Sequence, residues 1–238
     1  MKSILVAVLT LLLVSLVMLM GCAGVVKGSG DPITEPYNLN DFTTIEAHNG
    51  FQVELTKSND FSIEITIDDN LIEYLEVDKS GNTLRIRLQQ NRLYISVALR
   101  AKITMPDLNR LDLSGGSQVH VTGFNLSHDL SIELSGGSRA TGDISADGVD
   151  LKLSGGSRIE LAGSADNLVA DGSGGSHLEL GSFPVDNANI KISGGGGATV
   201  DVSGTLDLDL SGGSRVIYIG DPKIGDIDLS GGSTIRKK

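Results

Sequence analysis

A single tetrapeptide constrains this chain more than any other feature. Ser-Gly-Gly-Ser, or a close variant, recurs with its first glycine at Gly115, Gly136, Gly155, Gly174, Gly194, Gly212 and Gly231. The intervals are 21, 19, 19, 20, 18 and 19 residues. A corner repeated at that spacing means stacked, equivalent units that bury one another's apolar faces. Paired glycines suit a sharp bend between strands, because glycine enters positive φ without a Cβ penalty. The flanking serines can bond to nearby backbone.

What precedes each corner names the unit. Three positions before the first glycine stand Asp112, Glu133, Lys152, Asp171, Lys191, Asp209 and Asp228. On either side of these lie two apolar columns, Leu111 to Ile227 and Leu113 to Leu229, in which twelve of fourteen positions are Leu or Ile. Apolar, charged, apolar is a strand with one buried face. After the corner the alternation resumes, with Arg139, Arg158, His177 and Arg215 on one side and Ala140, Ile159, Leu178 and Val216 on the other. Strand, corner, strand and turn every 18–21 residues predict an all-β chain: a parallel β-helix of about seven coils. At about 4.8 Å per coil the rod would be roughly 34 Å long. An antiparallel sandwich also uses short alternating strands, but has no reason to repeat one corner sequence seven times. The nine aromatics and absent tryptophan suit a narrow interior filled by aliphatic ladders.

The first third reads differently. Longer alternating strands occupy Phe51–Leu55, Phe61–Ile67, Leu84–Leu88 and Ala101–Met105, with a helical turn within Asp68–Leu75 and a turn at Ser80-Gly81-Asn82. The expectation is a single β-helix domain over 41–238. Within it, wider, irregular coils over 41–110 seal one end, and the Ser-Gly-Gly-Ser repeats fill 111–238. An open end would template aggregation; at the other end Arg236-Lys237-Lys238 would discourage end-to-end pairing.

Ahead of the domain, Lys2 and an apolar run from Ile4 to Met20 form an export signal over 1–21. Leu19-Met20-Gly21-Cys22 closes the run and looks like a bacterial lipobox, with the sole cysteine where acylation needs it. An uncleaved membrane anchor is the competing reading, since the run sits at the lower bound of a spanning helix. Both readings place the protein in the cell envelope, membrane-anchored through Cys22 or the run itself. In a host with two membranes, Ala23 points to the outer membrane or cell surface. Residues 22–40 are expected to hold the lipidated Cys22 and a flexible tether.

The net charge of −11 argues against nucleic acid as a partner, and one cysteine excludes a disulfide framework. Cofactors are not expected. Spacing rules out a calcium β-roll, a phosphate loop and a Gly-x-Ser-x-Gly nucleophile elbow. His48, His120, His128 and His177 are scattered. Along the charged column, Glu133–Lys152, Lys152–Asp171, Asp171–Lys191 and Lys191–Asp209 are expected to pair across strands. Asp209 and Asp228 form a like-charged pair, a weak candidate for a divalent ion, and a flat solvated strand supplies no cleft for catalysis. The column of Arg139, Arg158, His177 and Arg215 is the candidate binding face for acidic glycans, with pairing to nearby acids as the alternative.

Taken in order, Gly28-Ser-Gly30, Phe42-Thr-Thr-Ile45, Gly50-Phe-Gln-Val-Glu-Leu55, Asp69-Asn-Leu71, Gly81-Asn-Thr-Leu-Arg-Ile86, Ile103-Thr-Met-Pro-Asp-Leu108 and the Leu-Ser-Gly repeats resemble the bacterial auto-transporter adhesin, head GIN domain family. The resemblance spans about residues 27–235. It implies a right-handed, pectin-lyase-like β-helix and a role in adhesion with no established catalysis; the partners expected are surface glycans or envelope proteins. Two other functions stay open: a β-helical polysaccharide-active enzyme, opposed by the acidic charge, and an envelope sensor or accessory lipoprotein.

Overall fold

The computed structural model describes residues 24–238. The export signal, the lipobox and Cys22 lie outside the described residues. Among the described residues no helix is long and apolar enough to cross a membrane.

The alternating apolar columns close into a parallel β-solenoid. Its regular part comprises β10 (Arg110–Leu113), β11 (Gln118–Asn125), β12 (Leu130–Leu134), β13 (Arg139–Leu153), β14 (Arg158–Gly174), β15 (His177–Gly194), β16 (Gly197–Val202), β17 (Thr205–Leu210), β18 (Arg215–Ile219), β19 (Lys223–Leu229) and β20 (Thr234–Lys237). It is preceded by β1 (Gly24–Lys27), β2 (Pro32–Pro36), β3 (Thr44–Ala47), β4 (Gln52–Lys57), β5 (Ser62–Asp68), a 3-10 helix (Asp69–Tyr74), β6 (Leu75–Ser80), β7 (Thr83–Leu88), β8 (Arg92–Ile95) and β9 (Leu99–Met105). Strands before the corners stack in parallel register as β7, β3, β10 and β12, then the later halves of β13, β14 and β15, then β17 and β19. Strands after the corners stack likewise as β9, β4, β11, the first halves of β13 to β15, β16, β18 and β20. Seven corners bound six complete turns, so the solenoid has about six turns where seven coils were expected.

Leu111, Leu113, Ile132, Leu134, Leu151 and Leu153 are buried in the interior columns, as their alternation requires. The corner sequence has two physical causes. Gly174 (φ +70°) and Gly212 (φ +77°) need positive φ, and a Cβ on either would come within 2.7 and 2.5 Å of the carbonyl oxygen of the preceding corner. The second serine of the tetrapeptide is buried, and Ser117, Ser138, Ser157, Ser176 and Ser214 each donate Oγ–H to the carbonyl three residues earlier at 2.6–2.9 Å.

Residues 41–110 are not a run of wider coils. β3 and β4 form one solenoid turn, after which the chain leaves the stack and folds back outside that turn. β7 and β9 pair in parallel with β3 and β4, and antiparallel strands then cover the new edge: β6 on β7, β5 on β9, β2 on β5. The chain reaches this reversal because hairpin turns, such as Ser80-Gly81-Asn82, replace the glycine corner. The tether expected over 22–40 is likewise corrected, because β1 and β2 belong to this cap. Asp68 explains why. Its buried carboxylate accepts from the N–H of Gly30 (3.2 Å) and of Ala98 (2.9 Å). Asp69 accepts from Ser29 Oγ, and Asn70 accepts from Ser29 N–H while donating to the Lys27 carbonyl.

Candidate binding faces

Side chains that point away from the solenoid form straight columns, because every coil repeats the same register. On the strands before the corners, Asp112, Glu133, Lys152, Asp171, Lys191, Asp209 and Asp228 stand in consecutive register. The cap extends the column with Glu46 beside Asp112 and Arg85 beside Glu46, where Arg85 Nε donates to Glu46 at 2.7 Å. Three acids therefore adjoin: Glu46, Asp112 and Glu133. Arg110, two residues before Asp112, bridges Asp112 and Glu133. Burial, followed by the charge of Glu133, pushes the Asp112 carboxyl above its ordinary range.

The four lysine–acid neighbours stand side by side as expected, yet none forms an ion pair within 4.0 Å among the described residues. Glu133 is held instead by Arg110, and Lys152 and Lys191 are exposed, where an ion pair gains little. A shallow hollow of about 380 Å³ runs along this column from Glu133 to Asp209. Asp209 and Asp228 are exposed register neighbours. The described residues contain no group of three or more His, Cys, Asp or Glu placed to hold a metal ion.

On the strands after the corners, Arg139, Arg158 and His177 are consecutive, then Gly197 intervenes before Arg215. The two first arginines reach diagonally to the next coil, Arg139 to Glu160 at 3.0 Å and Arg158 to Glu179 at 3.4 Å. His177 Nδ1 lies 2.8 Å from the Gly175 carbonyl, and Arg215 has no ion-pair partner among the described residues. Two hollows open on this sheet, of about 640 and 760 Å³, and they share His120, Arg139 and Thr141. The first also draws Gln52, Glu54, Arg100 and Lys102 from the cap. Sequence reading missed these four, because chain order does not reveal that residues 99–105 stack on 52–57. A signal exists: Arg100-x-Lys102-x-Thr104, Gln52-x-Glu54-x-Thr56 and Gln118-x-His120-x-Thr122 share one polar spacing, and each set ends in a threonine in the same column.

Over residues 41–222 the chain matches a family model described as "Putative auto-transporter adhesin, head GIN domain". The chain belongs to the head GIN domain family. Solved structures agree on the fold. One from Bacteroides fragilis, titled a "putative adhesin", is 21% identical with a TM-score of 0.80, covering 90% of this chain and 100% of that one. A "putative adhesin" from Parabacteroides merdae is 19% identical with a TM-score of 0.69, covering 90% and 99%. A "putative lipid binding protein" from Parabacteroides distasonis is 21% identical with a TM-score of 0.71, covering 90% and 100%. No curated protein matches this head GIN domain chain. At these identities the likeness carries the fold and leaves the chemistry of each face to its own residues.

Proposed function

We propose that this head GIN domain protein is held at the cell envelope by a lipid on Cys22 and works as a non-catalytic adhesion module. Its ligand is an acidic surface glycan, taken on the sheet formed by the strands after the corners. The observation that carries this reading is the pair of hollows that meet at Arg139. They set His120, Arg139, Arg100 and Lys102 on one flat sheet, with Gln52 and Gln118 between them. Amide and guanidinium groups in strand register offer repeated hydrogen-bond donors to an extended chain of hydroxyls and carboxylates. In the first hollow Arg100, Lys102 and Arg139 outnumber the single acid Glu54, to which Lys102 lies at 3.7 Å, so this part of the sheet has a local sign opposite to that of the chain as a whole. The family description supports a surface role.

The test is binding of the purified protein to an array of neutral and acidic glycans, with product analysis on every ligand retained. Binding to acidic glycans is expected to weaken on the order of tenfold in Arg139→Ala and further in Arg100→Ala/Arg139→Ala, with no shortened product. Release of cleaved oligosaccharide would replace this reading with the enzymatic one. Retention unchanged by both variants would move the site elsewhere. Radiolabelled fatty acid should enter the wild-type chain and not Cys22→Ser.

A further inference from the structure

The cap carries a second surface feature, unrelated to either polar face. β1 and β8 form a separate two-stranded parallel ribbon, pairing Gly24 with Arg92, Val25 with Leu93, Val26 with Tyr94 and Lys27 with Ile95. Paired residues in a parallel ribbon share a face. One face therefore holds Val26, Tyr94 and Arg92 and is fastened inward. Tyr94 packs on Tyr74 with ring centroids 6.0 Å apart, and the Arg92 guanidinium lies 4.7 Å above the Tyr74 ring. The other face holds Val25, Leu93, Ile95 and Lys27, and its three apolar side chains are 60%, 55% and 42% exposed. Such exposure is unusual for a ribbon that the cap holds so firmly. Asn70 bonds the Lys27 carbonyl, and Gly28 N–H bonds that of Ile95.

We infer that this outer face seats in the surface of the lipid bilayer and fixes the standing angle of the rod. The inference rests on the lipid anchor proposed for Cys22. Only Ala23 separates Cys22 from Gly24, and two residues reach at most about 7 Å. An acylated Cys22 thus leaves the ribbon no room to stand clear of the headgroups. Three apolar side chains beside one lysine suit that boundary, where apolar groups enter the acyl edge and an ammonium remains among the phosphates. A bilayer is the occupant this geometry favours over a second copy of the chain, because the acyl chain already holds a bilayer at this spot. The solenoid then projects outward with its polar faces free.

The full acylated chain, reconstituted into phosphatidylcholine–phosphatidylethanolamine vesicles, tests this with an environment-sensitive fluorophore. It is attached in separate proteins at Leu93→Cys, at Lys27→Cys on the same face, and at Ile224→Cys at the opposite end. Spin-labelled lipid is expected to quench the probes at 93 and 27 at least severalfold more than the probe at 224, with a blue-shifted emission. The variant at 27 removes no apolar packing and keeps the test valid should the one at 93 fold poorly. Equal quenching at all three sites, in protein that floats with the vesicles, overturns the inference and spares the anchor. Failure to float overturns the anchor itself and the inference with it. A blue shift that grows with protein concentration and ignores the quencher assigns the face to a second copy and also overturns it.

Discussion

The two ends of the solenoid solve one problem in opposite ways. At the first end, β7 and β9 would present open parallel edges, and antiparallel strands cover both. The outermost of these is β2, bounded by Pro32 and Pro36, which cannot donate to a further strand. Beneath that lid Phe42, Phe51, Ile65, Ile67, Leu71 and Leu88 are fully buried. At the far end β19 and β20 lie open among the described residues, and Ile224, Ile227 and Leu229 are 38–43% exposed. The repeat itself cannot supply an ending, since each coil is a template for the next. One end stops by abandoning the repeat. The other keeps the repeat: the column Leu180, Val200, Tyr218 continues in register to Lys237, whose exposed ammonium bonds the exposed Asp221. A lysine on an edge strand is a recognised means of refusing a partner.

The sharpest way to break this comparison is one substitution made in one column. Leu134 and Leu229 occupy equivalent positions, the first fully buried and the second 41% exposed. Leu134→Ala is expected to cost about 3–4 kcal/mol, the price of a core cavity. Leu229→Ala should cost less than about 1 kcal/mol, because little apolar surface is lost there. Equal losses in urea denaturation would mean that the far end is covered in solution. Next in size is Asp68→Ala, which leaves the N–H groups of Gly30 and Ala98 without their buried acceptor. A loss of about 2–3 kcal/mol is expected, together with protease cleavage within residues 24–40 while the repeats stay protected. Cleavage spread evenly over the chain would deny the cap its separate standing.

How much of this could be read from residues alone depends on whether the chain repeats. The interior columns, the corners and both outward columns follow from spacing, because in a solenoid equal sequence positions become spatial neighbours. That rule fails at β3 and β4. The chain leaves after one turn and returns at β7 and β9, so Arg100 and Lys102 join a face whose other members lie far along the sequence. Gly28-Ser-Gly30 was visible as a motif but not as a clasp. Its reason is that a Cβ on Gly28 would come within 2.3 Å of Asp68 Oδ2, a contact between segments that no periodicity links. Arg139 and Arg158 were legible as a column, and their diagonal glutamates follow from the same alternation two positions on.

Lys237→Val would test the far end directly. It extends the inner column by an apolar residue beside the exposed Ile224, Ile227 and Leu229, and removes the partner of Asp221. Light scattering at tens of micromolar is expected to show self-association in the variant and none in the parent, with little change in melting temperature. Lys237→Arg keeps a positive charge at the same edge and should behave as the parent does. Association in both variants would show that a positive charge at this position is not what keeps the far end from pairing.

The smallest effect lies where the cap joins the first repeat. His128, in the turn after β11, has both ring nitrogens facing acceptors: Nε2 is 2.9 Å from Asp107 Oδ1 and Nδ1 is 3.0 Å from the Asp129 carbonyl. Only the doubly protonated ring donates to both. The Asp129 carbonyl first, then the Asp107 carboxylate, hold its pKa above the ordinary 6.5. A raised folded-state pKa contributes stability that is complete below the unfolded value and disappears as pH climbs through the folded one. The loss therefore begins above about pH 6.5. Because the pair is more than a third exposed, water screens it, and a few tenths of a kcal/mol is the expected size, about 1 °C in melting temperature. His128→Gln should flatten that decline between neutral and mildly alkaline pH. The same decline in the variant would place the proton elsewhere and leave the junction without an ionic pin.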